Sequence, residues 1–131
     1  MRATLELTAV RLACRRRDEN DLKRIAENIK QTERVLREGG NILEYDTEFH
    51  LALVAASHNS VLVRVLNAFY RMTVLRRKVA FASREHGRAS ASDHRKLYEA
   101  IELRDIQEAQ DLIRRHMDRA RDYWQEVLGP E

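Results

Sequence analysis

A single proline, Pro130, occurs in the chain, and it stands next to the C-terminal end. Proline and glycine are the residues that most disfavour helix interiors, so a chain nearly free of both is predicted to be helical. The apolar periodicity stops at each of the glycine positions, which is where helix C-caps are expected. We therefore predict an all-α fold whose helices end at the four glycines: Gly39, Gly40, Gly87 and Gly129.

The first half of the chain is predicted to contain three helices, from the spacing of its apolar residues. The first spans about residues 2–16. The second begins after "RDEND", where Asp18 and Asp21 are both candidate N-caps, and ends at "EGG". The third runs from Asn41 to about Ser57, where the sequence "HNS" interrupts the periodicity.

The second half is predicted to contain one long helix and two shorter ones. The long fourth helix runs from about residue 60 to 85 and stops at Gly87. The polar stretch "GRASASD" is interpreted as a loop, after which Ser90 or Ser92 caps a fifth helix, and Asp105 begins a sixth. Short connections between these roughly six helices predict an antiparallel bundle in a single domain, residues 1–131. The expected inner face of the fourth helix is Val61, Leu62, Val65, Leu66, Phe69, Met72 and Leu75.

Composition and charge argue against several classes of protein. The one cysteine, Cys14, cannot form an internal disulfide, which suits a reducing, cytoplasmic setting. No apolar run approaches the ~20 residues of a membrane span, and the start "MRATLELTAV" lacks the features of a signal peptide. The formal net charge is only +3 and both signs are interspersed, so charge alone does not indicate nucleic-acid binding. Basic clusters such as "CRRRDEND", "LRRK" and "IRRH" are interpreted as solvated helix faces, dimer edges or contacts to another domain.

Four ionisable side chains fall on the apolar faces of three predicted helices. Asp46 and His50, within "EYDTEFHLAL", lie one helical turn apart on the third helix. His94 lies on the apolar stripe of the fifth helix, and His116 lies on that of the sixth. Burying such groups unpaired would cost several kcal/mol per ionised group. A divalent metal ion bound by all four would offset that cost.

This ligand set contains one carboxylate and three imidazoles and no thiolate, so it suits zinc, nickel, cobalt, manganese or iron. Further coordination positions would remain for water or for a small carboxylate. The alternative is a set of core histidines that each hydrogen-bond a neighbour, which is the commoner role of a single buried histidine. The spacing leaves both interpretations open. The other two histidines, His58 and His86, are predicted near helix ends or loops, exposed to solvent.

The string "DTEFH", followed by "SHN" and then "DHRKLYEAIELRDIQEAQDLIRRHM", resembles the signature of the FCD domain. This is the FadR-type effector-binding domain of GntR-family bacterial transcription regulators, and the resemblance covers nearly the whole chain. It implies an all-α antiparallel bundle of about six or seven helices that dimerises and holds a metal ion through Asp46, His50, His94 and His116. Zinc and nickel are the leading candidates for this ion. An intact set of ligands implies a member that senses small organic acids.

Three further residues are candidates for binding the effector. Arg2 corresponds to a family arginine, and a guanidinium matches the geometry of a carboxylate, with a solvated arginine at the N-terminal end of the chain as the alternative. Asn59 matches a family asparagine, although its first interpretation is a helix cap. Arg71 lies near the expected inner face of the fourth helix and is a possible carboxylate clamp, with exposure on the surface as the alternative.

The resemblance predicts a sensor and not an enzyme. Full-length members carry an N-terminal winged helix-turn-helix domain and a linker, and neither is expected here, because residue 1 falls in the first effector-domain helix. DNA would be reached only through that domain, whether the chain is an excised domain or a naturally short protein. We therefore expect a homodimeric, ligand-sensing module. A metal-dependent enzyme and a metal-free structural module are the alternatives, although no residue stands out as a general acid or base.

Overall fold

Seven α-helices make up the part of the protein that the structure describes, residues 2–129 of a computed structural model. The all-α prediction is confirmed, and no strand occurs among these residues. None of the described helices combines the length and the apolar character that crossing a bilayer requires. The helices are α1 (Arg2–Arg16), α2 (Glu19–Arg37), α3 (Leu43–Ala55), α4 (Ser60–Met72), α5 (Val74–Ala80), α6 (Arg84–Glu102) and α7 (Ile106–Leu128).

Side-chain caps begin four of these helices, α2, α4, α6 and α7. At α6 the hydroxyl oxygen of Ser83 accepts from the backbone N–H of His86 at 3.2 Å. At α2 the carboxylate of Asp18 accepts from the backbone N–H of Asp21 at 2.8 Å. The carboxylate of Asp21 in turn accepts from the backbone N–H of Asp18 at 2.9 Å. At α4 the side-chain oxygen of Asn59 accepts from two backbone amides, at 3.0 and 3.1 Å. At α7 Asp105 accepts from the amide three residues on, at 3.1 Å. Each such cap contributes about 1 kcal/mol to the stability of its helix.

The main apolar core lies between α1, α2, α3, α6 and α7. Burial of each large apolar side chain contributes about 1.5–3 kcal/mol, so this core is the main source of the fold's stability. A smaller cluster joins α4 to α1 and α3 through Ala9, Val54, Leu62, Leu66 and Tyr70. The most deeply buried members of the main core include Val10, Ile25, Phe49, Leu53, Leu97, Ile101 and Ile113.

The predicted long fourth helix is wrong, because the chain forms two helices, α4 and α5, on either side of Thr73. Thr73 has φ −109° and ψ 13°, outside the helical range. No proline or glycine marks the break. Its hydroxyl donates to the carbonyl of Phe69 at 3.1 Å and accepts from Nε of Arg77 at 3.2 Å. Of the seven residues expected on the inner face, four are exposed: Val61, Val65, Met72 and Leu75.

The predicted loop "GRASASD" is also wrong, because it lies inside α6, which begins at Arg84 after the N-cap Ser83. Gly87 therefore does not end a helix. It lies in the first turns of α6, where an added Cβ would come within 3.2 Å of the side chain of Leu36 on α2. The small residues that resemble a loop thus allow α6 to pack closely against α2, and Ser90 is buried there.

Candidate metal centre

The four predicted donors meet where α3, α6 and α7 pack together. Asp46 and His50 come from successive turns of α3, His94 from α6 and His116 from α7. One ligand atom of each lies within 4.8 Å of those of the others. Their exposed fractions are 3%, 1%, 1% and 5%, so the cluster is enclosed by the protein. The structure thus brings together all four residues that the sequence pattern singled out.

Asp46 lies at the centre of this cluster. Its Oδ1 atom is 3.5 Å from Nε2 of His50 and 3.3 Å from Nε2 of His94. The centroids of the three imidazole rings are 5.2 to 5.4 Å apart, so they surround one small volume. Three imidazole nitrogens and one carboxylate oxygen converging in this way form a ligand set that divalent transition metals accept.

His50 is held from behind by a buried carboxylate on α1. Its Nδ1 donates to Oε1 of Glu6 at 3.0 Å, and the hydroxyl of Tyr70 donates to the same oxygen at 2.8 Å. The other oxygen of Glu6 accepts from Nε of Arg2 at 2.9 Å. A histidine whose Nδ1–H is bound to a carboxylate directs its Nε2 to the opposite side, where that nitrogen can bind a metal once it has lost its proton.

His116 is held in the same way by Asp93 on α6. Its Nδ1 donates to Oδ2 of Asp93 at 2.8 Å, and Arg119 donates to the same oxygen. Asp93 is buried, and His116 and Arg119 lie about one turn apart on α7. Two of the three histidines therefore have a carboxylate that fixes the orientation of the ring.

His94 lacks such a partner. Its ring stacks on Phe49 with the centroids 3.8 Å apart and the planes 2° from parallel. Neither ring nitrogen has a hydrogen-bond partner within the described residues, although Nε2 lies close to Asp46, because the geometry of that approach is unsuitable. Leaving a buried polar group unpaired costs about 1–3 kcal/mol. An ion bound at Nε2 would provide the missing partner, so the residues present fit a metal.

Arg77 is the largest fully buried side chain, and it holds the far side of Asp46. Its Nη1 donates to Oδ2 of Asp46 at 3.3 Å and to the hydroxyl of Thr47 at 2.7 Å. Its Nη2 donates to the carbonyl of Tyr70 at 2.9 Å, and its Nε donates to Thr73. The guanidinium therefore joins α5 to the donor cluster and leaves Oδ1 of Asp46 directed at the histidines.

Sequence reasoning missed three residues that hold the donors: Glu6, Arg77 and Asp93. Glu6 lies one turn after Arg2, a spacing that signals a shared helix face. Arg77 had no local signal, because the break at Thr73 separates it from the apolar face of α4 and Asp46 is 31 positions away. Asp93 directly precedes a donor histidine and had no signal of its own, because its partner is 23 residues away.

Mutual electrostatics shift the pKa values of the buried groups. Burial alone would raise the pKa of Glu6, but the charges of His50 and Arg2 outweigh it and lower the pKa to about 2. Burial would lower the pKa of His50, yet the carboxylates of Glu6 and Asp46 raise it to about 9. Burial lowers the pKa of His94 to about 4, despite the neighbouring carboxylate. In the metal-free protein at neutral pH, His50 is therefore charged and His94 is neutral.

The pKa of Asp46 lies well below its usual range. Burial opposes this shift, but the charge of His50 on α3 and the close approach of the His50 and His94 rings, the latter on α6, outweigh the effect of burial. Asp46 is consequently an ionised ligand at every pH at which the imidazoles are available for metal binding.

The three candidate effector residues lie in different places. Arg2 is mostly buried, with its guanidinium carbon 4.5 Å from the ring centre of Phe69. Asn59 uses its side-chain oxygen to cap α4, as its first interpretation stated, and Arg71 is exposed. Within residues 2–129, no hydrogen bond or ion pair joins Asn59 or Arg71 to the four donors. Arg2 borders a cavity of about 410 Å³ whose lining includes Phe69, Arg76, Met117, Arg121 and Trp124.

The prediction of two solvated histidines is half right. His58 is exposed, and its Nε2 lies 2.8 Å from Asp21. His86 is buried, at 5% exposure, and stacks between Phe81 and Tyr123 with centroid distances of 4.9 and 4.2 Å. The prediction failed for His86 because this residue begins α6 on its inner face instead of ending a long fourth helix.

The chain is similar to one protein family, to a curated protein and to a solved structure. The family model of the FCD domain matches residues 1–119. The HTH-type transcriptional regulator LutR of Bacillus subtilis (strain 168) is 26% identical over 127 residues, covering 93% of this chain and 58% of LutR. The solved structure of E. coli McbR/YncC is similar with a TM-score of 0.85 and 18% identity, covering 95% of this chain and 64% of that chain. The chain thus spans less than two thirds of the length of each relative.

Proposed function

The chain belongs to the FCD domain family, and on this premise we propose that it is the ligand-sensing and dimerisation domain of a GntR-type, FadR-like transcription regulator. It binds one divalent metal ion through Asp46, His50, His94 and His116. A small organic acid binds through that ion and controls the attachment of the parent protein to DNA, which a separate domain contacts.

One observation supports the metal above all: four donor atoms from three helices converge in a buried volume, and His94 there has no hydrogen-bond partner among the described residues. Zinc and nickel suit a set of three imidazoles and one carboxylate best, and cobalt, manganese or iron are also accepted by such ligands. When bound, the ion supplies a Lewis-acidic position at which a carboxylate oxygen of the effector can bind.

The chain's own residues prepare the centre for this ion. Glu6 and Asp93 each hold the Nδ1 of a histidine, and Arg77 holds one oxygen of Asp46. Both outer carboxylates are engaged by a histidine and by an arginine, so their arrangement supports orientation of the ligands rather than acid–base chemistry on a substrate. This favours a binding centre over a catalytic one.

Arg2 is the strongest candidate for a direct contact with the effector. Its Nε is committed to Glu6, and its guanidinium borders the cavity of about 410 Å³ described above. An arginine has five N–H donors in a planar fork, so one bond to Glu6 leaves donors for a carboxylate. The other two candidates from the sequence, Asn59 and Arg71, have no hydrogen bond or ion pair to the donors or to Glu6 among the described residues.

Signalling requires that the ligand favour one packing arrangement of helices over another. The centre and its supporting residues join α1, α3, α4, α5, α6 and α7. Dimerisation is supported by a run of exposed apolar side chains on α4 and α5, since such patches mark interaction surfaces. These side chains are Val61, Val65, Met72, Val74, Leu75 and Val79.

Thermal unfolding tests the proposal. A ligand that binds only the folded protein raises the melting temperature by mass action. We expect zinc or nickel to raise the melting temperature of the metal-free protein, and citrate or a related acid to raise it further only after the metal is added. A melting temperature that stays constant with each metal, or an acid effect that is the same without metal, would contradict the proposal.

A further inference from the structure

Tyr70, in the last turn of α4, contacts the supports of two of the four donors at once. Its hydroxyl donates to Oε1 of Glu6 at 2.8 Å, and the same oxygen lies 3.0 Å from Nδ1 of His50. Its backbone carbonyl accepts from Nη2 of Arg77 at 2.9 Å, and Nη1 of Arg77 donates to Asp46 at 3.3 Å. Tyr70 is therefore joined to both donors of α3, to His50 through its side chain and to Asp46 through its backbone.

The ring of Tyr70 packs against the same groups. Its centroid lies 5.3 Å from that of the His50 ring, with the planes 26° apart, and the guanidinium carbon of Arg77 is 4.9 Å from it. The side chain is 2% exposed. A buried hydroxyl that donates to an ionised carboxylate makes a bond roughly twice as strong as one between neutral groups. The position of Tyr70 is therefore tied closely to that of Glu6.

The contact with Arg77 lies at the break between α4 and α5. In an uninterrupted helix the carbonyl of Tyr70 would accept from the amide four residues on. Here it accepts from the guanidinium of Arg77, whose Nε also donates to the hydroxyl of Thr73 at 3.2 Å. The helix α5 has only seven residues, too few to be stable alone, so its placement depends on contacts of this kind.

The outer side of the same break belongs to the exposed apolar run on α4 and α5. Met72 is 84% exposed and Leu75 is 79% exposed, the two highest values among the large apolar residues that the structure describes. Met72 comes two residues after Tyr70, and Leu75 comes two residues before Arg77. The two helices therefore contact the metal centre on one side and carry the proposed dimer surface on the other, so a change in the angle between them rearranges that surface.

We infer that Tyr70 couples occupancy of the metal centre to self-association of the chain. The inference rests on the proposed function, from which it takes both the metal ion and the dimer surface. Binding of an ion by Asp46 and His50 restricts both side chains and, through Glu6 and Arg77, restricts α4 and α5. A surface that is fixed beforehand loses less conformational entropy when two copies meet, so the metal-loaded chain associates more tightly. By linkage, association tightens metal binding by the same factor.

Sedimentation equilibrium of the full chain with and without zinc measures this coupling. The dissociation constant of the dimer should be at least about fivefold lower with zinc bound than after removal of metal by a chelator. Zinc could also link two chains through exposed donors, since ligand atoms of Asp18, Asp21 and His58 lie within 4.8 Å of one another. His58→Ala removes that route and is therefore the background for every measurement.

Tyr70→Phe tests the residue itself, because it removes the hydroxyl and keeps the ring. The ratio of the two dissociation constants should fall below about twofold, while elemental analysis still shows about one equivalent of zinc. A purely structural role of Tyr70 would lower stability and leave this ratio unchanged. Tyr98→Phe is the matched control, since Tyr98 is a partly buried residue of α6 that packs against the main core, and the ratio should stay as in the background chain.

The zinc content and the sedimentation of the same samples separate the possible failures. A dissociation constant that zinc leaves unchanged, or a ratio in Tyr70→Phe equal to that of the background chain, overturns the inference while the proposed function stands. A chain that takes up no zinc, or one that stays monomeric with and without it, defeats the metal or the dimer part of the proposed function, and the inference with it.

Discussion

Oε1 of Glu6 lies 3.0 Å from Nδ1 of His50, although the two residues are 44 positions apart in the chain. Both side chains are buried, so the contact ties the first helix to the donor pair on α3. Together with the contact between Asp93 and His116, it makes two of the three histidines dependent on a carboxylate that does not itself bind the ion.

Glu6→Gln is expected to weaken metal binding about 10–100-fold, the usual effect of removing a carboxylate that orients a histidine ligand. The substitution keeps the size of the side chain and removes its charge. The dissociation constant of zinc, measured by competition with a chelator, checks it. Glu48→Gln, an exposed position on the same helix as Asp46 and His50, is the control and should bind zinc normally. Equal affinities in the two variants would refute an orienting role for Glu6.

Arg77→Met is expected to destabilise the metal-free protein by about 3–5 kcal/mol, because it leaves the buried charge of Asp46 without its arginine. Saturating zinc should reduce this loss, since the ion compensates the same carboxylate. Denaturant unfolding with and without zinc measures both values. Arg71→Met, an exposed arginine on α4, serves for comparison and should change the free energy of unfolding little. A loss in Arg77→Met that zinc leaves undiminished would argue against the placement of the ion next to Asp46.

Metal binding near pH 7.5 is expected to release about one proton, because His50 must become neutral to act as a ligand. The sign follows from the pKa of His50, which Glu6 and Asp46 raise to about 9 in the metal-free protein, so the ring is charged at this pH. Release should decline as the pH rises through that value. Calorimetric titration of zinc in buffers of different ionisation enthalpy counts the protons, and a heat that is independent of the buffer would contradict the expectation.

Leu75→Glu is expected to weaken self-association, since it places a charge in the exposed apolar run on α4 and α5. Sedimentation velocity at several concentrations of protein should show a larger monomer fraction than in the unaltered chain. Leu103→Glu, an exposed apolar position between α6 and α7, is the control and should leave the distribution unchanged. If Leu103→Glu dissociates the protein and Leu75→Glu does not, the dimer surface lies elsewhere.

The parts of the fold that the sequence predicts well are those that depend on neighbouring residues. The caps at Asp18 and Asp105 bond to amides three residues away, so their spacing is visible in the chain. The donor pair on α3 stands out because two polar groups one turn apart interrupt an apolar face. The helix break at Thr73 has no such signal in the sequence. It occurs next to Arg77, whose guanidinium donates to Asp46 and Thr47, about 30 positions away in the chain.

The residues that support the donors were missed because their contacts are with residues far away in the chain. Glu6 and Asp93 act on histidines 44 and 23 residues away. The spacing of Glu6 from Arg2 indicates a shared helix face, but the local sequence of neither carboxylate indicates its histidine partner. His86 was misplaced because small and polar residues after it resemble a loop, whereas they allow α6 to pack against α2. Packing between distant segments therefore decides which polar residues are buried, and only the folded chain reveals it.

Elemental analysis of the purified protein tests the central claim most directly. The unaltered chain, and His58→Ala as a control outside the centre, should carry about one equivalent of zinc or nickel after exposure to the metal and removal of the excess. Asp46→Ala and His116→Ala should carry almost none, while circular dichroism shows that they remain helical. Metal content in either variant equal to that of the unaltered chain would contradict the assignment of Asp46, His50, His94 and His116 as the metal centre.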